Sequence, residues 1–175
     1  MIAPRTSASA LALAYPDLFD ERVGIIGRVV DVDRMPGAPD FFHVAAEACN
    51  TRAFTRQVNF RAAGGASADR DRAIAKALGE ATERYCSAIY DIESLPLATA
   101  AAAPFACVAP SEFALYSTAQ LASDGFPWVE FTERTPVRWT PAEDVLTGEV
   151  RHVPAAMVYM PYIYYQGSGD SPITQ

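Results

Sequence analysis

Lys76, Glu80, Glu83 and Arg84 are the residues of this chain best spaced to do chemistry together. At 100° per helical residue they share an arc of about 100° on the side opposite Ile74. Two carboxylates at i,i+3 bring their oxygens close together, and hard oxygen ligands of that kind suit a cation such as Mg²⁺. The same spacing makes Lys76–Glu80 and Glu80–Arg84 i,i+4 pairs of a solvated face, worth about 0.2–0.5 kcal/mol each. Spacing alone favours this second description. Just upstream stands Gly64-Gly65, whose backbone N–H groups could hold phosphate at the start of a helix. The pair matches neither a Walker A nor a GxGxxG pattern, so it reads first as a tight strand-to-helix turn.

The elements that must position these residues are legible in outline. From residue 71 to residue 90, Ile74, Leu78, Ala81, Tyr85, Ala88 and Ile89 form one apolar stripe, which predicts a long amphipathic helix over about 68–90. Ser67 or Asp69 can cap its first turn. Upstream, the β-branched run 23–33 and the stretch 41–48 read as strands, 52–60 as a third, and 63–69 as a small-residue turn. Downstream, 111–116 reads as a helical turn, 128–131 and 137–139 as short strands, and Thr147-Gly148 as a hairpin turn before 150–153. Residues 1–20 read as a flexible N-terminal segment, and the alanine run 98–103 as a loop. The fold class is α+β: a mixed or antiparallel sheet with the long helix packed on one face.

Composition narrows the function. The chain has 175 residues, 50% of them hydrophobic, which is enough for a core of one domain. Its net charge of −7 and pI of about 4.8 argue against a partner that is nucleic acid. No run approaches the roughly 20 apolar residues of a membrane span, and the weak stretch 10–14 makes no signal peptide, so the expected location is cytoplasmic. Three distant cysteines, Cys49, Cys86 and Cys107, form no CxxC pair and read as buried neutral thiols. With His43 and His152 the only histidines, a histidine metal centre or a Ser-His-Asp triad has little material.

The run GGASADRDRAIAKALGEATERY over residues 64–85 resembles the signature of the YcaO family, a glycine turn followed by a helix reading AL.EA.ERY. The resemblance extends upstream through residues 47–50 to Asn59, and downstream through 113–117, 136–139, 146–149 and 153–155. It is nearest to the azoline-forming cyclodehydratases of thiazole/oxazole-modified peptide pathways. It implies ATP and Mg²⁺ as cofactors and a ribosomal precursor peptide as substrate. A Cys, Ser or Thr side chain of that peptide attacks the preceding amide, ATP phosphorylates the oxyanion, and loss of phosphate leaves the ring. It also implies that Glu80 and Glu83 are metal ligands, with Gly64, Gly65 and Arg84 on the nucleotide side; Lys76 is expected there too, in place of a cation missing from the glycine turn. No residue is assigned as catalytic beyond these.

Two departures stand out. Many members carry a small hydroxyl residue one turn before the first glutamate, where this chain has its single lysine, Lys76. Some carry a lysine in the glycine turn, where this chain has Gly65-Ala66. Family domains are also about twice as long, with a second acidic cluster in the later half, whereas Asp170 is the one acid after Val150. The expectation is therefore that 21–175 is the N-terminal part of a YcaO-like domain, silent by itself. The aromatic tail 159–165 is then expected to be left as an apolar surface that draws the chain into a homodimer or larger species. A leader-peptide-binding protein is the implied partner. Two alternatives are a non-catalytic peptide- or partner-binding scaffold, and a YcaO protein that makes thioamides with a sulfur-delivery partner.

Overall fold

The computed structural model describes residues 18–20, 22–34 and 36–174. The expectation for residues 1–20 lies outside these as far as residue 17, while Phe19 bridges Ile26. The chain divides after Ile89 into two compact units.

In the first unit, β1 (Ile26–Val32), β2 (Phe42–Ala48) and β3 (Ala62–Ser67) form an antiparallel sheet in the order β1-β2-β3. Alternation along β2 buries Val44, Ala46 and Ala48 on one face. Helix α1 (Arg70–Ser87) covers that face, and Asp69 caps it by accepting the Arg72 N–H at 3.0 Å. The α+β architecture expected from the sequence is the one observed.

The helix is turned relative to the predicted stripe. Ala73, Ala77, Leu78 and Ala81 are buried, Ile74 and Tyr85 are partly buried, and Ile89 is exposed. The cause lies in β3. The segment read as a turn over 63–69 is instead a strand over 62–67, built only from Ala, Gly and Ser, and the helix backbone comes down onto it. A Cβ on Gly65 would sit 2.0 Å from the Ala73 carbonyl oxygen and 2.7 Å from the Ala77 nitrogen. At that separation only the smallest residues fit, so Ala73 and Ala77 join Leu78 and Ala81 of the predicted stripe against the sheet, Ile74 and Tyr85 pack at its margin, and Ile89 lies beyond the helix end.

The third strand expected over 52–60 is absent. A 3₁₀ turn, Thr51–Ala53, begins there, with Asn50 accepting the Arg52 N–H at 2.7 Å. A buried polar knot then holds the loop: Thr51 Oγ1 donates to the Gln57 carbonyl at 2.9 Å, and Asn59 Nδ2 to the Cys49 carbonyl at 2.9 Å. These side chains satisfy backbone groups that a strand ladder would otherwise have taken.

The second unit holds β4 (Leu97–Ala98), β5 (Val137–Glu143) and β6 (Val150–Pro154) in antiparallel order, with a short helix α2 (Thr118–Leu121). Residues 111–116 and 128–131 form neither the expected helix nor the expected strand beyond the 3₁₀ turn Pro110–Glu112. Fully buried Trp139 donates Nε1–H to the Ala98 carbonyl at 3.0 Å. The β5–β6 hairpin turns where Thr147-Gly148 predicted it. Asp144 Oδ1 accepts the Leu146 and Thr147 N–H groups at 2.9 Å each, and Gly148 takes φ +72°.

The aromatic tail differs from its expectation. Tyr162 is buried with Ile92, Leu95 and Ala155. Tyr90 stacks on Tyr159 at 4.5 Å, and the Tyr159 hydroxyl meets Thr140 Oγ1 at 2.9 Å. Tyrosine suits this place because its ring packs while its hydroxyl finds a polar partner. Of the segment, Met160, Ile163 and Tyr165 stay exposed. Of the three cysteines, Cys49 and Cys107 are half-buried and Cys86 is exposed, so the buried-thiol reading fails for Cys86. Burial pushes the Cys107 thiol above its ordinary range.

Candidate functional site

The sequence-predicted residues converge along the outer edge of β3. Among the described residues, strand order leaves that edge without a neighbouring strand, and backbone groups of alternate residues point out of it. Three of those groups are met by side chains one helical turn apart. Lys76 Nζ donates to the Ala66 carbonyl at 2.9 Å, and the Gly64 N–H donates to Glu80 Oε2 at 2.8 Å. Arg84 Nη1 donates to the Ala62 carbonyl. Helix and strand run antiparallel, so 76, 80 and 84 meet 66, 64 and 62 in order. Arg84 Nη2 closes the row on Glu80 Oε1 at 2.6 Å, with the two side chains 32% and 35% exposed.

Gly64 and Gly65 have separate tasks. Gly65 allows the close approach of α1, whereas a Cβ on Gly64 would meet only the Val44 carbonyl oxygen at 3.8 Å. Both lie within the strand rather than at the helix N-terminus, where Asp69 caps the chain. The Gly64 N–H, which the sequence offered to a phosphate, is bonded to Glu80. Glu83 stands one turn along from Glu80, exposed, and takes no part in the row.

This donor set fits Mg²⁺ as a partial site. Mg²⁺ is held by one or two carboxylates together with water and phosphate oxygens rather than by an all-protein cage. Glu80 and Glu83 are hard oxygen donors on adjoining turns, and the carboxylate of Glu80 is held in place by a backbone N–H. Among the described residues no group of three or more His, Cys, Asp or Glu is placed to hold a metal.

The second unit holds one partly buried ionisable cluster. Asp170 Oδ2 accepts the Tyr162 hydroxyl and Oδ1 the Arg138 N–H at 3.1 Å, while Arg138 Nη1 reaches the Leu95 carbonyl at 2.7 Å. Burial raises the Asp170 carboxyl above its usual range and also raises Tyr162; it pushes Tyr164 up to about 12. This is a structural cluster, and the sequence offered it only as a solitary late acid.

Sequence reasoning missed the Ala62 and Ala66 carbonyls as partners of Arg84 and Lys76. The available signal was the unbroken small-residue run AAGGAS, six residues long and thus of strand length.

An antiparallel sheet covered by a helix with an ExxER face defines the class of domain, and a family model gives it a name. The model described as "YcaO cyclodehydratase, ATP- and Mg²⁺-binding" matches residues 64–173. The chain belongs to the YcaO family, whose cofactors are ATP and Mg²⁺. No curated protein matches it. Among solved structures it is similar to a heterocyclase in complex with substrate and cofactor, with 19% identity and a TM-score of 0.63. That match covers 97% of this chain and 24% of the other. A second is YcaO from Methanopyrus kandleri bound with AMPPCP and Mg²⁺, at 16% identity and TM-score 0.44, covering 80% and 29%. The chain thus spans about a quarter of the length of these structures.

Proposed function

We propose that this chain carries the helix-borne share of the nucleotide and metal site of a cyclodehydratase acting on a ribosomal precursor peptide. In this reading Glu80 and Glu83 hold Mg²⁺, and Gly64, Gly65, Lys76 and Arg84 form the nucleotide side. The observation that carries it is Glu80, fixed by the Gly64 N–H inside the family-matched segment with Glu83 exposed one turn away. Mg²⁺ held there would neutralise phosphate charge while ATP phosphorylates the oxyanion left by side-chain attack on the amide, so that loss of phosphate leaves the azoline. The chain's own residues orient Glu80, keep the strand edge closed and present Glu83 to solvent. A leader-peptide-binding protein, self-association and a cytoplasmic setting belong to the same proposal; among the described residues no helix is long and apolar enough to cross a membrane.

The test is ATP turnover, with a Cys/Ser/Thr-rich peptide, by the whole protein carrying E80Q or E83Q. Each variant should lose turnover while keeping its circular dichroism spectrum.

One observation favours a second reading, that of a non-catalytic scaffold. Lys76, Glu80 and Arg84 all engage the β3 backbone, as edge-closing residues would. Near-normal turnover in E80Q, coupled to a lowered melting temperature, would select it.

A further inference from the structure

We propose, resting on the Glu80–Glu83 metal reading above, that Arg84 is the resident counter-cation of Glu80, and that a divalent metal competes with its guanidinium for Glu80 Oε1. The two oxygens of Glu80 are held differently. Oε2 accepts the Gly64 N–H, a partner that cannot move without the strand, whereas Oε1 meets a side chain at 2.6 Å. Both side chains of that pair are about one-third exposed, so water and ions reach it. An exchange at Oε1 leaves the carboxylate where it is.

Arg84 also survives the exchange in place. Its Nη1 bonds the Ala62 carbonyl independently of Glu80, which keeps the guanidinium beside the site after displacement. Lys76 is differently placed, since its ammonium goes to the Ala66 carbonyl. Without metal, the two carboxylates of the face are balanced by these two cations. Guanidinium and divalent cation are alternative partners for the same oxygen, so removing the first strengthens the second.

The experiment is Mn²⁺ binding by the full chain, read from the free-ion electron paramagnetic resonance signal. Compared are wild type, R84M, R72M and E80Q. Arg72 lies on the same helix, and its removal controls for net charge alone. A partly exposed ion pair is worth up to about 1 kcal/mol, so R84M should bind Mn²⁺ about three- to fivefold tighter, with R72M within about twofold of wild type. Equal or weaker binding by R84M overturns the proposal. Wild-type affinity in E80Q, or no binding by any form, refutes the metal reading itself and the proposal with it. If R84M fails to fold, a Mg²⁺ titration of wild type decides by NMR. A saturable shift of the Arg84 Nε–Hε resonance supports the exchange, and an unmoved resonance overturns it.

Discussion

The two units solve the problem of a small core in opposite ways. The first is built from alanine and glycine: Ala46, Ala63, Ala73, Ala77 and Ala81 are buried, and helix and strand backbones nearly touch at Gly65. The second is built from rings: Trp139 is fully buried against Phe105 and Phe131, and Tyr90, Tyr159 and Tyr162 stack. The difference has a chemical consequence. Close backbones let short reaches from a helix contact strand carbonyls and N–H groups, so the first unit displays ordered charge at its edge. Large rings fill volume and draw Asp170 inward, where burial raises its pKa. The row of solvent-accessible charge along a strand edge belongs to the small-residue unit, whereas exposed charge in the second unit sits at the Asp144 turn and in the Arg151–Glu112 pair.

Substitutions that exchange the two solutions should break the comparison, and the largest effect is expected in the aromatic unit. W139A removes a fully buried ring and the hydrogen bond to Ala98, and should cost about 4 kcal/mol in urea unfolding. Next comes G65A. Its methyl would meet backbone atoms that no rotamer change can move, for a loss of about 3 kcal/mol, while the neighbouring G64A should stay within about 0.5 kcal/mol. Equal effects at the two glycines would remove the close-approach argument.

The charged row sharpens the comparison at a smaller scale. E80A should cost about 1 kcal/mol, since it strips one partner from the Gly64 N–H and from Arg84. E83A should leave stability unchanged, because Glu83 is exposed and outside the row. Thermal melts of the pair of variants would measure the contrast.

The smallest expected effect is a pair of opposite titrations. Two backbone N–H bonds, from Thr147 and Leu146, hold the Asp144 carboxyl below its ordinary value of 3.8. Its contribution to stability is complete above 3.8 and is lost as pH falls through the lower folded value. Asp170 has the reverse sign. Burial raises it, so its contribution is complete below 3.8 and is lost as pH rises through the higher folded value. In an NMR pH series the Leu146 and Thr147 amides should titrate below 3.8, and the Arg138 amide above it.

Much of this was legible without coordinates. The period of α1, the β-branched run of β1, the turn at Thr147-Gly148 and the grouping of Lys76, Glu80, Glu83 and Arg84 on one face depend on residues near one another in the chain. Local spacing determines local geometry, and the motif over 64–85 carried the family. What tertiary structure decided was the set of partners. AAGGAS has no strand-forming side chains, and it is a strand because β2 pairs with it on one edge while α1 closes the other. That Ala73 and Ala77 join Leu78 and Ala81 on the buried side of α1 followed from how near Gly65 lets the helix come. The tyrosines of 159–165 likewise read as surface, and are partly core because residues 90–95 and 140, distant in sequence, supply their rings and hydroxyls with company. Spacing along a chain reports which groups share a face; only the fold brings to that face the backbone atoms that occupy it.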